Sequence, residues 1–429
     1  MNTGLLHPAD QIVMVMKRIY RYGMTTMSGG NLSIKDDNGD VWITPAGIDK
    51  GSLTAGDIVQ VKPDGTIIGR HKPSSELPFH LKTYRQRPDI RAVLHAHSPA
   101  LVSFSIVRKI PDTKLIPDVY LACGEVGMAE YGLTGSDELG EKIAKVLEKG
   151  INTVLLENHG IVVVAKDLFE AFLVFETLDF SARLEINARR IGNPVSLGQK
   201  DMEVSWLKNH FEMEEFVPAG YSSCERKLRS EMCGLIQRAY DQRLFTGKQG
   251  TFSARVDDHS FIITPGNADR KYIDAGHIVR IENGRKEAGK IPCPSVLLHK
   301  HIYEKNPHVN SVIIAQPVNI MTFAVTDVPF DSRLIPESYI MLRDIPKVPY
   351  GLTFMQPEKT AELFRTQTPM IIAQNECVII TGNSLLNAYD RLEVAEFSAR
   401  ALIDAMSIGN VVKINDEQID ELKRAFNLI

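Results

Sequence analysis

Gly30-Asn31-Leu32-Ser33, with Val41-Trp42-Ile43-Thr44-Pro45-Ala46-Gly47 after it, returns 220 positions later as Gly250-Thr251-Phe252-Ser253, with Ser260-Phe261-Ile262-Ile263-Thr264-Pro265-Gly266 after it. A second pair keeps the same order. Asp112-Thr113-Lys114-Leu115-Ile116-Pro117, Tyr120 and Tyr131-Gly132-Leu133-Thr134 return 219 positions later as Asp331-Ser332-Arg333-Leu334-Ile335-Pro336, Tyr339 and Tyr350-Gly351-Leu352-Thr353. One short match arises by chance, but several in register mark an internal duplication. The chain therefore reads as two homologous domains, 1–215 and 216–429. They meet in the polar stretch between Arg189-Arg190-Ile191-Gly192-Asn193-Pro194 and Ser222, where Asp201 to Glu215 is read as a helix. Inside each copy, β-rich runs such as Val59-Gln60-Val61-Lys62 and Ala92-Val93-Leu94-His95-Ala96-His97 alternate with helical stretches such as Pro78 to Arg87 and Phe169 to Arg189. Asp36-Asp37-Asn38-Gly39-Asp40 and Pro63-Asp64-Gly65 carry the turn chemistry of hairpins. Hairpins join antiparallel strands, so each copy is expected to be a three-layer α/β/α unit: a mainly antiparallel central sheet with helices on its faces.

Composition narrows the class. Of 429 residues, 24% are charged and 44% hydrophobic, and 49 Lys+Arg against 53 Asp+Glu leave a formal charge of −4, as in ordinary globular proteins. No basic footprint offers itself to nucleic acid or to an anionic membrane. The opening stretch, Met1 to Asp10, is broken by Pro8 and Asp10 before any apolar run long enough for a signal sequence, and no run approaches a membrane span. A cytoplasmic protein without nucleic-acid or membrane partners is expected. Cys123, Cys224, Cys233, Cys293 and Cys377 form no C-x-x-C pair and read as reduced thiols.

His95 and His97, at i and i+2 in a β-like run, project from one face of the sheet, with Leu94 and Ala96 on the other. Alone, such a pair is more often a polar sheet face than a metal site. A third histidine, His159, stands in Glu157-Asn158-His159-Gly160 at the mouth of the apolar run Ile161-Val162-Val163-Val164, where a neighbouring strand could bring it beside the pair. Three histidines and an open position make a catalytic zinc pattern. Lys72-Pro73-Ser74-Ser75-Glu76 precedes a helix opening at Leu77-Pro78. It is a plain helix start, and equally a set of amides and hydroxyls suited to a phosphate with one carboxylate suited to proton transfer. Ser28-Gly29-Gly30-Asn31 is common turn chemistry taken by itself.

Taken together, these motifs resemble the class II aldolase/adducin family, over roughly residues 8 to 195, and look most like its zinc-dependent L-fuculose-1-phosphate aldolase branch. The resemblance rests on Gly30-Asn31-Leu32-Ser33, Ile43-Thr44-Pro45-Ala46-Gly47, Lys72 to Glu76, His95-Ala96-His97-Ser98 and Asn158-His159-Gly160, in family order. It implies one Zn2+ on His95, His97 and His159, with Glu76 as the acid/base that also touches the metal at rest. It further implies a substrate phosphate held by Gly30, Asn31, Gly47, Ser74 and Ser75, and Tyr120 as a proton donor acting across a subunit interface. The expected reaction is cleavage of a phosphorylated ketose into dihydroxyacetone phosphate and an aldehyde. Glu at 76, where the family's epimerases carry Asp, favours aldol chemistry over epimerisation. It does not separate an aldolase from a sugar-phosphate dehydratase or a sugar-acid phosphate decarboxylase.

The second copy lacks these residues. Ile314 stands opposite His95, Gln316 opposite His97 and Ser295 opposite Glu76, and Ala373-Gln374-Asn375-Glu376-Cys377 replaces the stretch around His159. Thr251, Asn267 and Pro294 replace Asn31, Gly47 and Ser75. A degenerate, metal-free second domain is expected, with Tyr339 or the segment around Arg333 and Arg343 completing a first-domain site. The expected assembly is a homodimer with four domains in pseudo-fourfold array. The competing class is an adducin-like scaffold, in which the fold outlives the chemistry.

Overall fold

The computed structural model describes residues 3–209 and 212–428. By compactness these form two units, one of residues 1–113 and 118–183 and the other of residues 114–117 and 184–429. The first unit is built on eight strands: β1 (Asn31–Lys35), β2 (Val41–Ile43), β3 (Val59–Val61), β4 (Ile67–Ile68), β5 (Ala92–Ala96), β6 (Val126–Ala129), β7 (Thr153–Leu156) and β8 (Ile161–Ala165). Their spatial order is β4-β3-β2-β1-β5-β8-β7-β6. Only β6 and β7 run parallel, so the sheet is mainly antiparallel, as the hairpin turns predict.

Its longer helices are α1 (Pro8–Arg21), α2 (Leu77–Gln86), α3 (Pro99–Ile106), α4 (Asp137–Leu147) and α5 (Leu168–Ile191), whose residues through Arg183 belong to this unit, and a short helix spans Pro117–Cys123. Alternation along the strands sends Val41, Ile43, Val59, Val61, Val93, Val154, Val162 and Val164 into one buried cluster with Phe79 and Tyr84 of α2 and Leu139 and Ile143 of α4. The opposite face carries α1 against β1 and β2, with the Arg18 guanidinium 4.3 Å above the Phe172 ring of α5. Since His95 follows Val93 by two positions, its ring is directed to the α2 side, and it meets Phe79 edge-on at 5.8 Å.

The second unit repeats the plan on nine strands. Thr251–Asp257 pairs with Ser260–Ile263 and with Ser311–Ala315, which pairs in turn with Cys377–Gly382, all antiparallel. Parallel pairing occurs where Lys347–Val348 meets Met370–Ala373 and where Arg285–Glu287 meets Glu215–Phe216. The helix expected from Asp201 to Glu215 is shorter. Gln199–Ser205 is helical, Trp206–Asn209 forms one 3-10 turn, and Glu215–Phe216 is a strand of the second sheet. Residues 210 and 211 lie outside the described residues. No described helix is long and apolar enough to cross a membrane.

Candidate metal centre and active site

Strand pairing assembles the centre. In β1–β5, Asn31 lies opposite His95. In β5–β8, Ala96 lies opposite Ile161, which brings the turn at 157–160 beside the histidine pair. Asn158 holds that turn with φ 53°, a left-handed conformation that Asn tolerates, and the His159 N–H donates to the Leu156 carbonyl at 3.1 Å. His95, His97 and His159 each offer a ligand atom, all within 4.8 Å of one another. Among the described residues this is the only such group.

His95 Nδ1 lies 2.9 Å from the Ile161 carbonyl. A carbonyl only accepts, so Nδ1 carries the proton and Nε2 presents a bare lone pair. That lone pair faces His97 Nε2 at 2.9 Å and Glu76 Oε2 at 3.2 Å, while His159 Nε2 lies 3.8 Å from Glu76 Oε1. A lone pair aimed at a carboxylate is repulsive unless a cation stands between them. Two ligands held tetrahedrally at zinc distances stand roughly 3.3 Å apart, close to the spacings found. Glu76 Oε1 and His159 Nδ1 are buried with no hydrogen-bond partner among the described residues. Burial, then the neighbouring imidazoles, pushes His95 and His97 down to about 3, and burial lowers His159 against the pull of Glu76. All three rings are therefore neutral at neutral pH, the state that binds a metal. The donor set fits a divalent cation.

Three glycines make room for the rings. A Cβ on Gly29 would lie 2.8 Å from His97 Nδ1, one on Gly30 would lie 2.8 Å from the His95 carbonyl, and one on Gly160 would lie 2.6 Å from both the Ala96 carbonyl and a His97 ring carbon. Gly160→Ala is accordingly expected to displace His97 and weaken metal binding by roughly tenfold or more, as loss of a supporting contact does. Metal titration checks this, with far-UV circular dichroism unchanged. In the second copy Gln249 and Cys377 stand where Gly29 and Gly160 stand in the first, so the corresponding space carries side chains. Gln316 Nε2 there donates to the Glu376 carbonyl at 2.9 Å, and the Glu376 carboxylate takes a bond from Thr353 Oγ1 at 2.6 Å and pairs with Lys208 at 3.3 Å.

Of the remaining predicted residues, Gly30 and Asn31 stand at the start of β1 and Gly47, Ser74 and Ser75 on two loops. Asn31 Nδ2 donates to Glu76 Oε2 at 2.7 Å. The loop through Gly47 and the loop through Ser74 are tied by the Ser74 N–H to the Thr44 carbonyl at 3.1 Å and the Ala46 N–H to the Lys72 carbonyl at 3.0 Å. Gly47 takes φ 68° and Gly30 φ 70°. Ser74 is buried and Ser75 and Gly47 are exposed. The buried Lys50 ammonium donates to the Pro45 carbonyl at 2.8 Å, and desolvation lowers its pKa despite Asp49. The sequence reading missed Lys50, although Arg270 stands at the same position of the repeat and is likewise bonded to backbone carbonyls. Tyr120, on the helix Pro117–Cys123, is 38% exposed.

The sequence model of the Class II Aldolase and Adducin N-terminal domain matches residues 10–186 and again 230–403. Curated relatives match the N-terminal unit. An L-fuculose phosphate aldolase of Methanococcus maripaludis is 36% identical over 41% of this chain and 93% of its own length. A 5-deoxy-D-ribulose 1-phosphate aldolase of Bacillus thuringiensis is 34% identical over 45% and 91%. A 3-oxo-tetronate 4-phosphate decarboxylase of Pectobacterium atrosepticum is 34% identical over 41% and 81%. With both halves matched in register with the internal repeat, the chain belongs to the class II aldolase and adducin family, and carries its domain twice.

Proposed function

We propose that this class II aldolase-type enzyme is a cytoplasmic, zinc-dependent lyase. Its N-terminal copy cleaves a phosphorylated ketose into dihydroxyacetone phosphate and an aldehyde, and its C-terminal copy is noncatalytic. The observation that carries the reading is the meeting of three neutral imidazoles with a buried carboxylate whose Oε1 has no hydrogen-bond partner. A divalent cation bound there supplies Lewis-acid stabilisation of the charge that develops beside a carbonyl as the carbon–carbon bond breaks. His95, His97 and His159 would hold it, with Glu76 alongside. Glu76 moves the proton through Oε1, because Oε2 is engaged by Asn31 at 2.7 Å. Gly30 and Asn31 at the start of β1, with Gly47, Ser74 and Ser75 on the paired loops, take the phosphate, binding energy remote from the breaking bond. Assembly as a homodimer of four domains in pseudo-fourfold array would offer Tyr120 or Tyr339 to a neighbouring centre as proton donor.

The decarboxylase relative, as similar to this chain as the deoxyribulose-phosphate aldolase, keeps a second reading in play: loss of carbon dioxide from a 3-oxo sugar-acid phosphate. One screen separates the two. Ketose 1-phosphates and 3-oxo sugar-acid 4-phosphates are offered to the full chain while metal content is measured. Release of dihydroxyacetone phosphate with about one zinc per chain is the expected result. Carbon dioxide without fragmentation would replace aldol cleavage, and a metal-free, inert protein would leave a scaffold.

A further inference from the structure

One side chain outside the motifs reaches the carboxylate. Strand β1 contributes Asn31 and Ser33 on its α2-facing side, about 6.7 Å apart at two residues of strand rise. Helix α2 and its N-terminal flank contribute Glu76, His80 and Tyr84, about 6 Å apart at four residues of helix rise. The two spacings nearly match, so the side chains interleave: Asn31 bonds Glu76 at 2.7 Å and His80 at 2.5 Å, and Ser33 bonds His80 at 2.7 Å and Tyr84 at 2.7 Å. Every member is buried.

The polarity of this chain is determined from one end. The Glu76 carboxylate accepts, so Asn31 turns its NH2 to Glu76 and its Oδ1 to His80. His80 Nε2 must then donate, leaving Nδ1 to accept from the Ser33 hydroxyl, whose oxygen accepts from Tyr84. Burial supports this direction: it drives His80 down to about 3, keeping the ring neutral, and raises the Tyr84 phenol, keeping its proton in place.

The second copy is an internal control. Ser253 bonds His299 Nδ1 at 2.7 Å and Tyr303 at 2.6 Å, as Ser33 bonds His80 and Tyr84. Yet Thr251, in the place of Asn31, is paired with Cys293, and His299 Nε2 is buried without a hydrogen-bond partner among the described residues. The Ser–His–Tyr half is thus common to both copies, and the link from Nε2 to a carboxylate exists only beside the three histidines.

We infer that His80 is a positioning residue. Its Nε2–H fixes the orientation of the Asn31 amide, and through it commits Glu76 Oε2 as an acceptor and leaves Oε1 to transfer the proton. The link to turnover rests on the lyase reading above, whereas the orientation does not.

The experiment compares His80→Phe, His80→Gln and His299→Phe in the full chain. His80→Phe is expected to lower kcat about 10- to 100-fold, the range seen when an outer-shell partner is lost, with KM within about twofold, and His80→Gln, which keeps a donor and an acceptor, restores most of it. His299→Phe gives a comparable fall in melting temperature with kcat unchanged. A kcat loss in His80→Phe no larger than in His299→Phe overturns the inference. A readout free of turnover stands beside it: in 15N-histidine-labelled protein His80 should show the Nε2–H tautomer, and Glu76→Gln should shift the His80 signals and leave those of His299 in place. An Nδ1–H tautomer, or no response to Glu76→Gln, overturns the inference even if no sugar phosphate is turned over. Wild-type inactivity with the expected spectra would instead sink the lyase reading alone.

Discussion

Replacing His95 with alanine is expected to leave the purified chain without stoichiometric metal and without turnover, while both sheets persist. His95 is the hub of the centre: fully buried, tied through Nδ1 to the Ile161 carbonyl, and facing both His97 and Glu76 through Nε2. Removing it takes away one of the three imidazoles that could hold a metal, together with the bond that orients it. The loss in affinity should exceed the roughly 10- to 100-fold that an outer-shell partner alone is worth. Truncation also opens a cavity in a close-packed core, which costs about 2–5 kcal/mol for a large buried side chain. A second variant removes that ambiguity. His95→Ile copies the residue that the repeat itself carries at Ile314, on the strand Ser311–Ala315, paired to Thr251–Asp257 in the same register. It should melt near the wild type and still bind no metal. Competition against a chromophoric chelator reads both proteins, and retention of one tightly held zinc per chain in either would remove these histidines as ligands.

The parts of this centre differ in how openly the sequence shows them. His95 and His97 are legible because a strand's two-residue period puts i and i+2 on one side. The convergence of His159 is legible only as a possibility, since it depends on β5 pairing with β8 in the register that sets Ala96 against Ile161, and register follows from how the whole sheet buries its faces. The glycines do read as a turn, and the Gly29 N–H bonds the Thr26 carbonyl at 3.3 Å, but the sequence does not show that a Cβ on Gly29 would meet His97 Nδ1, or one on Gly30 the His95 carbonyl, at 2.8 Å. His80 belongs to none of the motifs, so nothing local singles it out. The signal was nevertheless present in the repeat, where Ser33, His80 and Tyr84 return as Ser253, His299 and Tyr303. The same comparison, carried past the motif residues, exposes Lys50 through Arg270. In the linker the α-helix stops at Ser205 and tightens into the 3-10 turn Trp206–Asn209, a change of winding that side-chain periodicity does not announce.

Glu76→Gln should abolish catalysis and spare the metal. The asymmetry of the carboxylate decides how the amide sits. Asn31 Nδ2 is a buried donor 2.7 Å from Oε2, and leaving such a donor unpaired costs about 1–3 kcal/mol. The glutamine therefore places its carbonyl oxygen against Asn31, and its NH2 falls where Oε1 stood, near His159 Nε2. An amide there fills the same volume but cannot take up or return a proton, so kcat is expected to fall by about 10²- to 10⁴-fold, the usual worth of a positioned acid/base. Zinc content should stay near that of the wild type because the three imidazoles are untouched. Glu76→Ala would be a poorer test, since it orphans Asn31 and mixes a packing defect with the chemical one. Deuterium exchange gives the sharpest readout. Wild-type protein incubated with dihydroxyacetone phosphate alone in heavy water should exchange the hydrogen at the carbon that becomes nucleophilic in the condensing direction, and Glu76→Gln should not. Exchange at the wild-type rate in the zinc-loaded variant would take the proton away from Glu76 and hand it to another group.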